Sequence, residues 1–343
     1  MELGVTPRVG LVGCGVVGRR RALALGPARL VACADLQRDR AEELARLAGT
    51  AVEPDWARLV TRPDVDIVVI ATTNDALALV AAAAVDAGKH VLVEKPAARR
   101  AAELSPVIRA AARTGVCVRV GFNHRYHPAL RKARELVDAG ALGPLMFVRA
   151  RYGHGGRVGY EKEWRADAAR SGGGELIDQG VHLIDLARWF LGEFTDIQGF
   201  AHTYYWPTAV DDNAFLLLRT PALQTAMLHV SWTEWKNLFS FEIYGRDGKI
   251  HAEGLGGSYG PERLTLYRMR PEMGPPDTST WEYPGEDRSW QAEFADFLDD
   301  IGRRRPSAPG LADAHAALLI VEAIYRRSKQ PLERAPAALA EAE

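Results

Sequence analysis

The sequence is short of features that would mark several classes of protein. Its three cysteines, Cys14, Cys33 and Cys117, form no CxxC pair, which argues against a disulfide framework or a cysteine zinc site. The 43 basic and 44 acidic residues are scattered, which indicates no nucleic-acid or membrane-surface partner. There is no apolar run long enough to span a bilayer and no secretory signal pattern. We therefore expect a cytoplasmic protein that acts on a small molecule.

A glycine-rich segment lies between two apolar stretches near the start. The first stretch ends in Gly13-Cys14-Gly15-Val16-Val17-Gly18, a helix-forming segment follows, and the second stretch ends at Asp35. This order is typical of a dinucleotide site, in which the glycines let the backbone approach a pyrophosphate and the acid binds a ribose. Asp35 would repel a 2′-phosphate and favours NAD, whereas Arg38 could accommodate that phosphate and leaves NADP possible.

Strands and helices continue to alternate up to residue 120, which predicts a doubly wound parallel sheet. The apolar strand 67–71 ends at Thr72-Thr73-Asn74, and the strand 90–93 ends at Glu94-Lys95-Pro96. Ligands bind at the carboxyl edge of such sheets, so both segments are candidate cofactor contacts. We expect Lys95 to face this crevice. The alternative is a solvated surface lysine at a turn.

The second part of the chain has a different pattern. A helix over 123–139, a strand over 145–154 and a helix to 191 are followed by six strand-like segments, which lie over 200–205, 214–219, 225–232, 238–244, 249–253 and 264–269. No helices separate these segments, which predicts a mostly antiparallel sheet. Asp247-Gly248 predicts a hairpin turn between two of these strands. Helices over 289–304 and 311–328 close the predicted fold.

The segment 171–185 places two carboxylates and an imidazole close together in the sequence. Asp178, His182 and Asp185 are spaced to share one face of a helix, so Asp178 could hold His182 in one tautomer and make it a general base. The preceding glycines 172–174 would leave room and backbone N–H groups for a flat ligand. The alternative is a capped surface helix in which His182 is a satisfied polar residue. Neither interpretation needs a metal ion.

Together, the glycine turn, Glu94-Lys95-Pro96 and the 171–185 segment resemble the glucose–fructose oxidoreductase and inositol dehydrogenase family (Gfo/Idh/MocA). The resemblance covers nearly the full length. It implies an NAD(P)-binding Rossmann domain over 1–122. It also implies a substrate-binding α/β domain over 123–343 whose open sheet often forms the interface of a homodimer or homotetramer.

The resemblance also implies roles for individual residues. The catalytic residues would be Lys95, Asp178 and His182. The residues expected to bind the cofactor are Gly13, Gly15, Val16, Val17, Gly18, Asp35, Arg38, Thr72, Thr73, Asn74, Glu94 and Lys95. Those expected to bind substrate are Arg125, His154 and Asp185. Independently of the resemblance, Trp164 is a candidate for stacking on a sugar ring, because its loop precedes the 171–185 segment.

The expected function is hydride transfer between a ring secondary hydroxyl of a sugar or cyclitol and NAD, with His182 taking the hydroxyl proton and Lys95 stabilising the alkoxide. Lys95 would do the polarising that a zinc ion does elsewhere, so no metal is expected. A second possibility is a ketoreductase of nucleotide-linked sugars, in which Arg151, Arg157, Arg165 and Arg170 hold a diphosphate. A third is a glycosidase with tightly bound NAD, and a fourth is a non-catalytic NAD-binding regulator.

Overall fold

The computed structural model describes residues 6–272 and 274–328, and it contains two sheets. The first sheet has six parallel strands in the order β3-β2-β1-β4-β5-β6. The strands are β1 (Arg8–Val12), β2 (Arg29–Ala34), β3 (Ala51–Val52), β4 (Ile67–Ile70), β5 (His90–Val93) and β6 (Val118–Val120). The strand order reverses between β1 and β4, so ligands are expected at the carboxyl ends of these two strands. The predicted parallel sheet is confirmed.

Helices cover both faces of this sheet, which is why β4 is apolar and buried at every residue. They are α1 (Val16–Leu23), α2 (Arg38–Ala48), α3 (Trp56–Thr61), α4 (Asn74–Asp86) and α5 (Ser105–Thr114). A short 3₁₀ turn over Ala101–Leu104 precedes α5.

The second sheet has eight strands in the order β14-β13-β12-β11-β7-β10-β9-β8. The strands are β7 (Leu145–Gly153), β8 (Asp196–His202), β9 (Asn213–Arg219), β10 (Thr225–Ser231), β11 (Leu238–Gly245), β12 (Gly248–Glu253), β13 (Glu262–Arg268) and β14 (Asp277–Tyr283). Neighbouring strands are antiparallel except β7 and β10, which run parallel. The predicted, mostly antiparallel sheet is thus confirmed.

One face of the second sheet is covered by α6 (Pro128–Asp138), α8 (Val181–Leu191) and α10 (Leu311–Ser328). The short helix α7 (Ala168–Ser171) lies in the segment that precedes α8. The other face stays exposed and carries large apolar side chains, which are Phe147, Phe200, Phe215, Leu217 and Met227. Among the described helices, none is both long and apolar enough to cross a bilayer.

The last helix before α10 is α9 (Ser289–Arg303), and it returns to the first sheet. Its Phe294 and Phe297 pack in the same core as Leu11 and Val69 of that sheet. The domain boundary predicted between residues 122 and 123 remains a prediction. The helix α9 packs on the first sheet, although its residues lie in the predicted second domain. Both predicted ranges extend outside the described residues, at 1–5 and 329–343.

Three details of the second sheet differ from the sequence prediction. The edge strand β14 was missed because it is exposed and polar and is held by its ladder to β13. The strand expected over 200–205 is β8, which ends at His202 because the N–H groups of Tyr204 and Tyr205 donate to Asp212 instead, at 2.8 Å each. The predicted hairpin is present, but its turn residues are Arg246 and Asp247.

Candidate active site

The glycine turn after β1 has the shape that the sequence predicted. Gly13 has φ +97°, and a side chain there would meet the backbone of Ala71 after β4. Gly15 caps α1, and nothing lies within 4 Å of where its Cβ would be, so the backbone is open to a ligand. Gly18 allows α1 to pack against the carbonyl of Gly13. These are the three roles of the glycines in a dinucleotide-binding turn, and the residues fit such a cofactor.

Asp35 lies directly beside this turn. Its Oδ2 accepts the N–H of Cys14 at 2.7 Å, and its Oδ1 accepts the N–H of Gln37 at 2.7 Å. These bonds fix the carboxylate at the carboxyl end of β2, where a ribose would lie. Arg38 instead extends along α2, with its side chain 85% exposed, and pairs with Glu42 at 2.7 Å. The cofactor-binding roles of these residues stay predictions.

The segments after β4 and β5 reach the same edge of the sheet. Thr72 lies two residues after β4, Thr73 caps α4, and Asn74 donates from Nδ2 to the carbonyl of Ser171 at 2.8 Å. Asn74 thereby ties the edge to the glycine segment of the second unit. The carboxylate of Glu94 is buried and accepts a hydrogen bond from Arg21 Nε at 2.6 Å, so it is bound inside the protein.

Lys95, Asp178 and Arg165 form an ion cluster at this edge. Lys95 Nζ donates to Asp178 Oδ1 at 2.7 Å and to the Asp178 carbonyl at 2.6 Å. Arg165 Nε donates to Asp178 Oδ2 at 2.9 Å. Burial alone would raise the pKa of Asp178, but Lys95 and Arg165 hold it well below its ordinary value. Asp178 is therefore a carboxylate fixed between two cations.

This geometry corrects the predicted link between Asp178 and His182. Both carboxylate oxygens of Asp178 bind Lys95 and Arg165, so Asp178 does not orient the imidazole. The spacing argument assumed an α-helix, but Leu176–Gly180 is a π-helical turn, which holds more residues per turn and changes the angle between side chains. Asp185 instead forms a buried ion pair with Arg125, at 2.6 and 2.8 Å. The three side chains do not act as one face.

His182 is held by aromatic rings. Its ring stacks on His124 with centroids 3.8 Å apart and an interplanar angle of 24°. It also packs edge-to-face with Phe122, with ring centroids 6.0 Å apart. Its Nδ1 has no hydrogen-bond partner within 6–272 and 274–328. Burial lowers the pKa of His182 well below its ordinary value, and the charge of Lys95 lowers it further. His182 is therefore a neutral imidazole at neutral pH, able to accept a proton.

The glycines 172–174 are packed rather than open, which corrects the prediction of a ligand surface there. Side chains at Gly173 and Gly174 would meet the ring of Tyr325 and the backbone of Asp211. The N–H of Gly174 donates to Asp211 Oδ1 at 2.8 Å, so a carboxylate of the chain itself takes the place expected for a ligand.

The predicted substrate residues surround this centre. Arg125, besides its pair with Asp185, donates to Asp313 at 2.9 Å. The Nδ1 of His154 accepts from the N–H of Gly156 at 2.9 Å. The ring of Trp164 lies 4.7 Å from the guanidinium of Arg165, so it supports the arginine that binds Asp178. Substrate contacts for all four predicted residues stay predictions.

The sequence did not point to Glu175, which is fully buried three residues before Asp178. Neither of its carboxyl oxygens meets a hydrogen-bond partner among the described residues. Burial raises the pKa of Glu175 well above its ordinary value, and the charges of Asp178 and Asp211 raise it further. Glu175 therefore keeps its proton to a higher pH than an ordinary glutamic acid does. The only signal in the sequence is an acidic residue directly before the apolar pair Leu176-Ile177.

Comparison with known proteins identifies the family. The protein-family model described as "Oxidoreductase family, NAD-binding Rossmann fold" matches residues 7–122. A second family model, the "GFO/IDH/MocA C-terminal domain", matches residues 130–251. The chain belongs to the Gfo/Idh/MocA oxidoreductase family. The resemblance seen in the three motifs is confirmed.

Several named proteins are similar to this member of the family. Levoglucosan dehydrogenase of Pseudarthrobacter phenanthrenivorans is 26% identical over 92% of this chain and 94% of its own. Inositol 2-dehydrogenase of Gluconacetobacter diazotrophicus is 30% identical over 96% and 97%. A dTDP-3,4-didehydro-2,6-dideoxy-alpha-D-glucose 3-reductase of Streptomyces violaceoruber is 28% identical over 92% of each. A solved levoglucosan dehydrogenase in complex with NADH and L-sorbose superposes with a TM-score of 0.86, at 25% identity over 94% and 97%.

The raised pKa of Glu175 predicts how a substitution there changes the stability of the protein with pH. The folded chain holds the Glu175 proton more tightly than the unfolded chain does, so stability is lost as pH rises above the ordinary value of 4.5. Glu175→Gln keeps the shape and cannot ionise. Its melting temperature should equal that of the wild type at pH 4 and exceed it by about 2 °C or more at pH 9, measured by scanning calorimetry.

The matched control is Glu286→Gln, at an exposed carboxylate. Its difference from the wild type should be the same at every pH. A constant difference for Glu175→Gln would show that Glu175 is ionised in the folded protein.

Proposed function

We propose that this protein is an NAD-dependent dehydrogenase that oxidises a ring secondary hydroxyl of a sugar or cyclitol, or catalyses the reverse reaction. The observation that carries the proposal is the Lys95–Asp178 ion pair, which fixes an ammonium donor beside neutral His182 at the ligand-binding edge of the first sheet. The relatives named for levoglucosan and inositol act on polyhydroxylated rings, which supports this class of substrate.

The roles of the residues follow from their chemistry. Bound NAD would supply the hydride acceptor, held by the glycine turn and Asp35. Lys95 donates a hydrogen bond to the substrate oxygen and stabilises the negative charge that develops there. His182 accepts the hydroxyl proton, because its low pKa leaves it unprotonated at neutral pH. Asp178 holds Lys95 in place through two contacts.

Buried polar atoms near Asp178 also fit a polyhydroxylated ligand. Gln179 Oε1 in the π-helical turn and His182 Nδ1 at the start of α8 have no partner among the described residues. Buried polar atoms are normally hydrogen-bonded, so this concentration in one place favours a site for ring hydroxyls.

The second candidate is a ketoreductase acting on a nucleotide-linked sugar. A relative named as a dTDP-sugar 3-reductase favours it. Two of the arginines expected to hold a diphosphate are already paired, Arg157 with Glu163 and Arg165 with Asp178. Arg151 and Arg170 are exposed. Only these two could bind a diphosphate without breaking an ion pair, which makes this candidate the weaker one.

A redox glycosidase and a non-catalytic regulator would each leave a distinct sign. A glycosidase with tightly bound NAD would retain the cofactor through purification and turn over without net reduction. A non-catalytic regulator would not need the ion cluster of Lys95, Asp178 and Arg165 that the structure preserves.

The first test is the absorbance of reduced nicotinamide on mixing the protein with NAD and a panel of inositols, free aldoses, anhydrosugars and nucleotide-linked sugars. We expect a rise with at least one ring alcohol. Lys95→Ala should lower kcat/KM by about 100- to 1,000-fold, because it removes the donor to the developing alkoxide. The surface variant Lys132→Ala, on α6, is the control and should match the wild type.

Absence of any rise, with NAD binding intact, would contradict oxidation of these compounds. The same panel in its keto form, tested with NADH and NADPH, would then separate the reductase from the glycosidase.

We infer that NAD is preferred over NADP, on the basis of the position of Asp35. A fixed carboxylate accepts hydrogen bonds from ribose hydroxyls and repels a 2′-phosphate. By isothermal titration calorimetry, NAD should bind at least tenfold more tightly than NADP. Asp35→Ser should weaken NAD binding by about tenfold or more and strengthen NADP binding, because Arg38 can then reach the phosphate. Unchanged selectivity in this variant, as in the control Glu272→Ser, would contradict the inference.

We also infer that the protein is a homo-oligomer that pairs through the exposed face of the second sheet. Phe147, Phe215 and Met227 are 37%, 37% and 51% exposed on neighbouring strands. Contiguous apolar patches of this kind are typical of protein interfaces.

Light scattering tests the interface directly. The wild type should have a mass that is a multiple of 37.6 kDa. Met227→Asp should shift it towards 37.6 kDa, because a charge cannot be buried in an apolar interface without a partner. Leu319→Asp, exposed on α10, is the control and should leave the mass unchanged. A monomeric wild type would contradict the inference.

A further inference from the structure

The feature that the proposed reaction leaves unexplained is His124, which was not among the predicted site residues. It lies in the 3₁₀ turn Asn123–Tyr126 that follows β6. Its ring is 5% exposed and lies almost parallel to the ring of His182, with centroids 3.8 Å apart. Tyr152 at 5.2 Å and Phe239 at 5.8 Å contact the same ring. The ring of His124 is therefore packed on several sides.

Hydrogen bonds fix the turn that carries His124. Its Nδ1 lies 3.3 Å from Asn123 Oδ1, and Asn123 Nδ2 donates to Ser289 Oγ at 2.8 Å. Because Ser289 is the first residue of α9, the turn is anchored to a helix that packs on the first sheet. These contacts hold the stacked ring in one orientation.

The charges around the two imidazoles explain why stacking matters. His182 faces Lys95 from the end of β5, His127 from the start of α6 and Arg21 from α1, and each of these disfavours a proton on its ring. Its Nδ1 has no partner in the described part of the chain, and Asp178 is bound elsewhere. Protonated His182 thus lacks the carboxylate that commonly supports a catalytic histidine.

His124 stays uncharged in the same surroundings. Burial lowers the pKa of His124, and the neighbouring His182, His127 and Lys95 lower it further. Of the three histidines, His127 is the one that contacts a carboxylate among the described residues, with its Nδ1 3.0 Å from Glu262 Oε2. A neutral aromatic face therefore lies directly against the ring that gains the proton.

We propose that His124 is a positioning residue for His182, whose ring it orients and whose protonated form it stabilises by stacking. The proposal rests on the proposed function for the role of His182 as the base. A cation is attracted to the face of an aromatic ring, and the attraction is stronger where water is excluded. His124 then provides the support that the sequence assigned to Asp178.

The test compares His124→Phe with His124→Leu. Both side chains fill the site, but only Phe keeps an aromatic face. His124→Leu should lower kcat by about five- to thirtyfold with KM and NAD affinity unchanged, while His124→Phe should recover most of the loss. His315→Leu, on α10, is the control for loss of a remote histidine. If His124→Leu does not fold, His124→Met replaces it as the non-aromatic variant.

NMR titration of the His182 ring gives a second measurement that does not depend on turnover. Losing the aromatic face should lower the pKa of His182 in His124→Leu relative to His124→Phe. If no substrate is turned over by the wild type, the proposed function fails while this titration still tests the stacking. Equal kcat and equal His182 titration in the Phe and Leu variants would overturn the proposal.

Discussion

The candidate site depends on the fixed position of one carboxylate, Asp178, between two cations from different parts of the chain. Lys95 comes from the end of a Rossmann strand, and Arg165 comes from the segment before the helix that carries Asp178 itself. The cluster therefore joins the first sheet to the second unit at the point where chemistry is expected. Removing Asp178 would leave two neighbouring, partly buried cations without their counter-charge, which is destabilising. The same carboxylate serves structure and reactivity.

Three residues of this candidate site could be proposed from the sequence, but their contacts could not. Lys95, Asp178 and His182 were found because strand ends and a glycine-rich helix start are local patterns. The predicted bond between Asp178 and His182 was wrong, because helical spacing does not reveal a π-helical turn. The open surface expected at the glycines was also wrong, because Asp211, some 35 residues further along, fills it. A contact between two distant segments cannot be predicted from the local pattern of either segment.

The fold shows the same division. The strand Ile67–Ile70 was predictable because a strand buried on both faces must be apolar throughout. The edge strand Asp277–Tyr283 was missed because its exposed polar residues carry no such pattern. The apolar side of α9 could be read from its sequence, but not the sheet that it would cover. Besides the packing of Phe294 and Phe297, two buried arginines bind α9 to the first sheet, because Arg21 pairs with Glu293 and Arg119 pairs with Asp296.

The buried charges combine to favour one reaction at the strand edge. Arg21 is shared by Glu94 and Glu293, and burial raises the pKa of Glu293 to about 7, so near neutral pH this neighbouring cluster can hold a proton and carry little net charge. Glu175 also keeps its proton to a higher pH than an ordinary carboxyl group, which limits the negative charge that it adds. Within the ion cluster itself, Lys95 and Arg165 lie against the single carboxylate of Asp178, which leaves an excess of one positive charge in that cluster. A partly desolvated positive charge stabilises an alkoxide more than it stabilises the alcohol, so the site binds the developing charge better than the ground state.

Proton acceptance by an imidazole without a carboxylate partner is then the step that needs help from the protein, and the ring of His124 is the group placed to give it.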